Sequence, residues 1–241
     1  MAKTVLTTLS LIFLCTSVFA QKNTYIGGEG AVNHDVYEII DNGTLLKKVP
    51  LITGYFGFNI RQDLSPAVFL EVGLLRKYYN EGIGFKVFDS YTEDNAISGW
   101  FIPLRLGTRI NIHKHKVYLV PIIGYTLGIN SDYGYEDGGA GGQIINSQDT
   151  IYYSVYSKLS LTRTFPLLQT GMGVEFILLR TVLVSLAANY YTGFKNLIEQ
   201  NIEYTHNATT YTAKGLSKGE IVTFGVAMKY PISHLWNRYR R

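Results

Sequence analysis

Seven charged residues of this 241-residue chain fall at alternate positions in otherwise apolar stretches. Glu71, for example, lies between Leu70 and Val72, in a run where every second residue is aliphatic. Because successive side chains of a strand point to opposite faces, this spacing puts the charges on one face and the apolar residues on the other. The set consists of Glu29, Arg61, Glu71, Arg105, Arg109, Glu175 and Lys229, and Lys77 has the same parity.

Acidic and basic side chains that share a buried face are expected to pair, because an unpaired buried ion is costly. We therefore predict a network that joins Glu29, Glu71 and Glu175 to the basic members of the set. The alternative is that these charges line a path for protons or solutes. In both cases they fill an interior, which the elements described below must enclose.

Residues that could form a hydrolase triad also occur. His34 and Asp35 are adjacent, and Ser90 and Ser131 lie in predicted spacers. No motif fixes their geometry, so we predict no catalytic residue and no enzyme activity. A lipid-modifying enzyme remains an alternative.

A cluster of acidic residues lies in the longest predicted spacer, residues 131–156. Asp132, Glu136 and Asp137 could hold Ca²⁺, which prefers oxygen ligands. Their spacing does not match an EF-hand loop, so we predict solvated acidic loops, with no metal and no cofactor. The cation site stays a hypothesis.

Residues 1–20 resemble a secretory signal, with a basic Lys3, an apolar stretch and a small residue, Ala20, at the cleavage position. Cys15 is the only cysteine and falls in this segment. A lipoprotein cysteine is disfavoured because the bulky Leu14 precedes it. The mature chain would then have no disulfide and no thiolate metal site.

Charge and hydropathy exclude two classes of protein. The net charge of +4 is modest, with no basic stripe among the aromatics, which argues against nucleic acid as a partner. No later segment approaches 18 apolar residues, so a helical membrane protein is excluded. No linker divides the chain, and we predict one domain over residues 21–231.

Eight short apolar segments follow one another, and the spacers between them are alternately long and short. This alternation is typical of outer-membrane β-barrels, which have short periplasmic turns and long extracellular loops. We predict an all-β fold, an eight-stranded antiparallel transmembrane β-barrel. Its strands are expected near residues 24–32, 51–61, 67–79, 97–110, 117–130, 161–176, 181–191 and 220–230.

A soluble eight-stranded barrel would have the opposite polarity, with apolar residues inside. Here the apolar face has more large side chains than such an interior holds, so we place it against lipid. Aromatic residues near the predicted strand ends fit girdles at the membrane interface. They are Tyr55, Phe56, Phe58, Tyr78, Tyr79, Trp100, Tyr190, Tyr191 and Tyr230.

Two further segments have distinct predictions. Residues 36–40 are expected to form a protruding hairpin with residues 44–49 across the turn at Asp41, Asn42 and Gly43. Residues 232–241 form a basic tail, either disordered or in contact with anionic head groups or a periplasmic partner. Its candidate contact residues are Trp236, Arg238, Arg240 and Arg241.

The strand patterns of residues 68–75, 101–107, 121–125 and 171–176 resemble those of the PorT-like outer-membrane β-barrel family. The resemblance implies a small eight-stranded barrel in the bacterial outer membrane. A few members of that family assist protein secretion, and it provides no catalytic motif to transfer. One departure is that ten residues follow Pro231, whereas barrels of this kind often end on an aromatic residue.

The sequence thus predicts a non-enzymatic outer-membrane barrel with a structural or interaction role, which the resemblance extends to an accessory role in secretion. Its expected partners are outer-membrane lipid and other envelope or secretion proteins. A narrow passive channel for small solutes is the first alternative, and the lipid-modifying enzyme is the second.

Overall fold

The computed structural model describes residues 24–49, 52–79, 82–86, 92–94, 97–114, 116–131, 136–146, 149–178, 181–206 and 209–232. Nowhere in these residues is there a helix long and apolar enough to cross a membrane. Their regular structure is a series of fifteen strands. The strands are β1 (Thr24–Asp41), β2 (Leu46–Val49), β3 (Ile52–Asp63), β4 (Val68–Tyr79), β5 (Gly82–Phe85), β6 (Thr92–Asp94), β7 (Ile97–Thr108), β8 (Ile110–His113), β9 (Val117–Asn130), β10 (Glu136–Asn146), β11 (Asp149–Leu161), β12 (Thr164–Leu178), β13 (Val182–Gly193), β14 (Ile198–His206) and β15 (Thr209–Pro231).

Eight of these strands close into an antiparallel barrel. They pair in the order β1, β3, β4, β7, β9, β12, β13 and β15, and β15 pairs back onto β1. The closing register runs from Tyr25 opposite Pro231 to Asp41 opposite Ala213, with an irregularity between Val36 and Glu38. Closure leaves none of these eight strands as a free edge through the barrel wall, as a membrane-spanning sheet requires. The predicted fold class is confirmed.

The two faces of the barrel wall differ as the alternation predicted. Outward side chains are large and apolar, and Phe58 and Phe224 are 73% and 63% exposed. Inward side chains are buried even when they are charged, and Arg61 and Lys77 are 0% exposed. This polarity suits a wall with lipid outside and a filled interior.

Three of the predicted girdle aromatics were assigned to the wrong environment. Tyr55, Tyr79 and Tyr191 are buried inside the barrel, at 5%, 2% and 1% exposure. Each is adjacent in sequence to an aromatic that faces outward, for example Phe56 beside Tyr55. Because neighbouring residues of a strand face opposite sides, an aromatic pair supplies one ring to the girdle and one to the interior.

Three predicted long spacers contain strands at the end of the barrel opposite the short turns. β15 starts at Thr209, well before the predicted Glu220, and its first half pairs with β14. β14 pairs with β11, and β11 pairs with β10, so a sheet continues outward from the barrel wall. We call this sheet, with the last residues of β1, the extension.

The predicted hairpin after β1 is wrong in its pairing. Asp41 does cap a turn, and its carboxylate accepts hydrogen bonds from the backbone N–H of Gly43 (3.0 Å) and Leu46 (2.8 Å). However, the end of β1 already pairs with β15, with Glu38 opposite Leu216. β2 therefore pairs with β5, and β5 with β6, in a separate three-stranded sheet.

Candidate functional site: the filled barrel interior

Four charged residues fill the interior near the short turns. Arg61 donates to Asp63 (3.0 Å) and to Glu175, and Arg109 donates to the same two carboxylates, both at 2.7 Å. The Arg61 guanidinium carbon also lies 3.3 Å from the centroid of the Phe69 ring. Two cations and two carboxylates thus alternate in a closed ring of ion pairs, each with more than one partner.

A second cluster lies in the middle of the barrel around Arg105. Its guanidinium contacts the Glu29 carboxylate at 2.6 and 2.9 Å and donates to Glu71 at 2.9 Å. Arg105 Nε donates to the Gln169 amide oxygen at 3.1 Å. Lys229 completes the cluster by pairing with the second oxygen of Glu71. This bidentate geometry fixes the distance between β1, β4, β7 and β15 across the interior.

A third pair lies further from the short turns. Lys77 Nζ contacts the two oxygens of Asp35 at 2.8 and 3.2 Å. Thr53 donates to the same carboxylate at 3.1 Å, and Asn33 does so at 3.3 Å. Every basic side chain described inside the barrel therefore contacts a carboxylate.

A small cavity separates the first two clusters. Its volume is about 50 Å³. Charged residues such as Glu71 and Glu175 line one side, and small residues such as Gly173, Ala187 and Gly225 line the other. A space of this size and polarity can hold a few water molecules but no larger solute.

An apolar plug closes the interior above the first two charged clusters, level with the Lys77–Asp35 pair. Phe101 is central in it, with ring centroids 5.9 Å from Tyr79, 6.0 Å from Phe165 and 6.0 Å from Tyr191. We define the plug by its buried residues: Tyr55, Leu75, Tyr79, Phe101, Phe165, Leu167, Tyr191, Leu197, Ile198 and Ile221.

A second apolar cluster, here called the cap, joins the three-stranded sheet to the extension. Its buried residues are Tyr37, Leu46, Ile83, Phe85, Ile202, Tyr204 and Ala213. Gly215 lies beside them, and a Cβ there would be 3.2 Å from Ile83 Cδ1. The small side chains of β15 thus make room for Ile83, which packs the two sheets together.

Tyr204 is a polar group inside the cap. Its hydroxyl donates a hydrogen bond of 2.7 Å to Asp41 Oδ1, next to the turn that leads into β2. Burial, followed by this bond to a carboxylate, raises the pKa of the Tyr204 phenol well above its usual value. The bond ties the extension to the turn after β1.

The structure does not bring the predicted hydrolase residues together. His34 faces outward from β1, whereas Asp35 faces the interior and pairs with Lys77. Ser131 is exposed and accepts a hydrogen bond from Arg76, and Ser90 lies outside the described residues. Adjacent residues of a strand cannot both point into one site on the same face.

Other predicted sites cannot be placed in full. Asp132 lies outside the described residues, and Glu136 and Asp137 begin β10 without described side chains. No group of metal-binding side chains occurs in the described part of the chain. The tail residues Trp236, Arg238, Arg240 and Arg241 also lie outside it.

Sequence reasoning missed two carboxylates of the interior. Asp63 was placed in a turn, but β3 continues through it, and its parity with Arg61 could have revealed it. Asp35 was considered only as a partner of His34, although it lies an even number of residues from Glu29 and so faces the same side.

Comparison with known proteins bears on the fold. No family model matches this chain, and no curated protein matches it. Among solved structures, it is similar to the outer membrane protein OprG from Pseudomonas aeruginosa, with 11% sequence identity over 88% of this chain and 98% of that chain and a TM-score of 0.50. The fold is that of an outer-membrane β-barrel.

Lower similarity extends to two more barrels. The outer membrane protein AlkL has 11% identity over 88% of this chain and 90% of its own, with a TM-score of 0.38. Ail of Yersinia pestis has 13% identity over 86% of this chain and 99% of its own, with a TM-score of 0.35. In outer-membrane β-barrels the short turns are periplasmic. By that rule we call the half of the barrel with the short turns periplasmic, and the half with the plug, cap and extension extracellular.

Proposed function

We propose that this chain is a non-enzymatic protein of the bacterial outer membrane that acts through its extracellular extension, in an interaction or structural role. The observation that supports this most is the filled interior. Two clusters of paired charges occupy its periplasmic half, and the plug, the Lys77–Asp35 pair and the cap occupy its extracellular half.

A filled interior argues against the narrow channel. The cavity between the charged clusters, of about 50 Å³, has room for only a few water molecules, and the plug closes the interior beyond it. Opening a path would break ion pairs whose partners come from opposite sides of the barrel, which costs several kcal/mol for each pair. We expect no single-channel conductance in planar bilayers, with a large porin in the same bilayer as the positive control. Discrete openings of the wild-type protein would favour the channel.

The extension supports an interaction role because its strands continue the sheet beyond the closed eight-stranded barrel. Its exposed positions include Thr212 and Lys214 on β15, whose neighbours Ala213 and Gly215 face the cap. Lys214 makes only a solvent-exposed pair with Glu199, at 3.7 Å. Such a surface pair contributes little to stability, so Lys214 can serve recognition. Thr212 is exposed beside it, and its hydroxyl accepts a hydrogen bond of 3.1 Å from the side chain of Asn42.

The resemblance to the PorT-like family makes envelope or secretion proteins the partners we favour. To test this, a photo-crosslinking residue is placed at Thr212 or Lys214 in living cells, with Leu104, 49% exposed on the lipid-facing wall, as the matched control. We expect a discrete crosslinked protein from the extension and none from Leu104. Equal labelling at the three positions would contradict the proposal.

Location in the outer membrane is tested separately. The protein should fractionate with outer membranes, and the folded barrel should migrate differently on a gel before and after boiling. Recovery from the soluble periplasm would overturn both the location and the proposed role.

A further inference from the structure

One arginine of the barrel wall faces lipid. Arg76 lies on the outward face of β4, and no other lysine or arginine faces outward from β1, β3, β4 or β7. The basic residues of the interior all have carboxylate partners, but among the described residues no carboxylate pairs with Arg76. An unneutralised cation at the edge of a lipid-facing wall attracts an anion.

The surroundings of Arg76 suit a phosphate group. Its Nη2 donates to Ser98 Oγ at 2.6 Å and its Nη1 donates to Ser131 Oγ at 2.9 Å. Each hydroxyl accepts from the guanidinium and keeps its own hydrogen to donate. The guanidinium carbon also lies 5.1 Å from the centroid of the Trp100 ring, which holds the group at the interface. Guanidinium and hydroxyl donors thus converge on one outward position.

An apolar depression lies near this arginine on the same outer face. It has a volume of about 620 Å³, and its lining includes Gly30, Val32, Leu186, Phe224 and Val226. Gly30 pairs with Phe56, and Phe56 with Arg76, in one row across β1, β3 and β4. Two strand spacings, about 10 Å, therefore separate Gly30 from Arg76.

The row climbs toward the extracellular side. Arg76 lies further along β4 from the short turns than Gly30 lies along β1, as the tilt of barrel strands requires. The cation therefore lies closer to the extracellular side than the depression does. A lipid of the outer leaflet has the same arrangement, with its head group on the extracellular side of its acyl chain.

Packing does not explain Gly30, which lines the depression. A Cβ at Gly30 would come no closer than 3.6 Å to its nearest neighbour, and one at Gly28, two residues earlier on the same face, no closer than 3.7 Å. These are ordinary contacts, so the barrel would accept side chains at both positions. Phe56 and Phe58, on the adjacent strand, are 59% and 73% exposed and border this low strip.

We propose that this outward face binds one anionic, phosphate-bearing lipid. The phosphate contacts Arg76, Ser98 and Ser131, and an acyl chain runs past Phe56 into the depression at Gly30. A lipid is favoured over a second copy of the chain because the depression lies near a cation that has no carboxylate partner among the described residues. A second copy would have to bring a carboxylate to Arg76, and in the described residues of β1, β3, β4 and β7 none faces lipid below that level.

Trp100 is a built-in reporter of this site. The chain has two tryptophans, so Trp236→Phe leaves Trp100 as the one indole. The full chain is reconstituted in phosphatidylcholine vesicles with acyl-brominated phosphatidylglycerol or acyl-brominated phosphatidylcholine, which quench a nearby indole. We expect phosphatidylglycerol to quench at about five-fold lower mole fraction, the effect of one basic residue at an anionic head group.

Arg76→Gln should remove this preference, and Lys195→Gln, an exposed cation between β13 and β14, should keep it. Equal quenching by the two lipids in the wild type, or an unchanged preference in Arg76→Gln, would overturn the proposal. Added inorganic phosphate should leave the preference intact. If it abolishes the preference, the site holds a free anion and the lipid assignment is wrong.

Gly30→Leu tests the depression without disturbing the charge. We expect it to weaken the phosphatidylglycerol preference by several-fold, while Thr170→Leu, an exposed outward position on β12, leaves it unchanged. The change in gel mobility on boiling confirms that both variants are folded. If the wild type is instead a dimer that Gly30→Leu dissociates, the depression is an interface between copies and the proposal fails.

Discussion

The periplasmic and extracellular halves of this barrel are filled by different physical means. The periplasmic half uses long charged side chains from β1, β3, β4, β7, β12 and β15, paired across the interior. The extracellular half uses rings and aliphatic side chains, many from segments that connect the barrel strands. The same barrel wall thus encloses a charged half and an apolar half.

The two ways of filling the interior predict how the stability of each half responds to the loss of a side chain. An ion pair that loses one partner leaves an uncompensated buried charge, which is strongly destabilising. An apolar cluster that loses a side chain leaves a cavity that its neighbours partly fill. We therefore expect the largest losses from the charged half and graded, local losses toward the cap.

Arg105→Ala is expected to have the largest effect. It removes the partner of both Glu29 and Glu71, and should lower the free energy of unfolding by about 3–5 kcal/mol. Urea unfolding from lipid vesicles, followed by tryptophan fluorescence, measures the loss. Arg105→Lys keeps the charge and should lose less. Leu104→Ala, on the outward face of the same strand, is the matched control, and an equal loss there would contradict a special role for the charged half.

Phe101→Ala should rank second. The ring is 1% exposed and packs against three others, so its loss should lower the free energy of unfolding by about 3 kcal/mol. The same urea titration applies. Ile102→Ala, on the outward face beside it, should lose less because lipid already contacts that side chain. A larger loss from Phe101→Ala than from Arg105→Ala would reverse the comparison between the two halves.

The sequence predicted the charged half better than the apolar half, for a physical reason. Strict alternation around Glu71 and Glu175 assigns a face to each residue once the strand is recognised. It does not choose partners, because Arg105 and Glu29 come from distant parts of the chain. Asp63 was missed because the turn-forming residues that follow it, Ser65 and Pro66, make β3 look shorter in the sequence than it is.

The extension was harder to predict because the buried face of the first half of β15 consists of small residues and not of large apolar ones. Along β15, Ala213, Gly215 and Ser217 face inward, and their small side chains give no apolar alternation. Gly215 is buried because Ile83, from a separate sheet, packs onto it, and Ala213 belongs to the same cap. When the burial of a strand depends on a residue far away in the chain, the sequence of the strand itself shows no strand pattern and looks like that of a loop.

Ile83→Ala tests whether the cap is a local unit. Ile83 is 2% exposed between the small sheet and the extension, and its truncation should destabilise the cap by about 2 kcal/mol. We expect faster proteolysis of the extracellular segments, with an unchanged mobility shift of the barrel on boiling. Lys214→Ala, exposed on the opposite face of β15, is the control. Loss of the mobility shift would show that cap and barrel unfold together.

Tyr204→Phe should have the smallest effect, and one that depends on pH. The variant loses the bond to Asp41, which lowers the stability of the cap by about 1 kcal/mol at neutral pH. In the unfolded chain the phenol ionises near its usual pKa of about 10. In the folded chain the pKa of this phenol is raised. Above pH 10 the unfolded chain therefore releases a proton that the folded chain keeps. As a result, the wild type loses stability as the pH rises. The advantage of the wild type over Tyr204→Phe should therefore shrink between pH 8 and pH 11, measured as resistance of the cap to a protease active over that range. A constant difference would mean that the phenol is not buried as a donor to Asp41, and the cap would then be held by apolar packing alone.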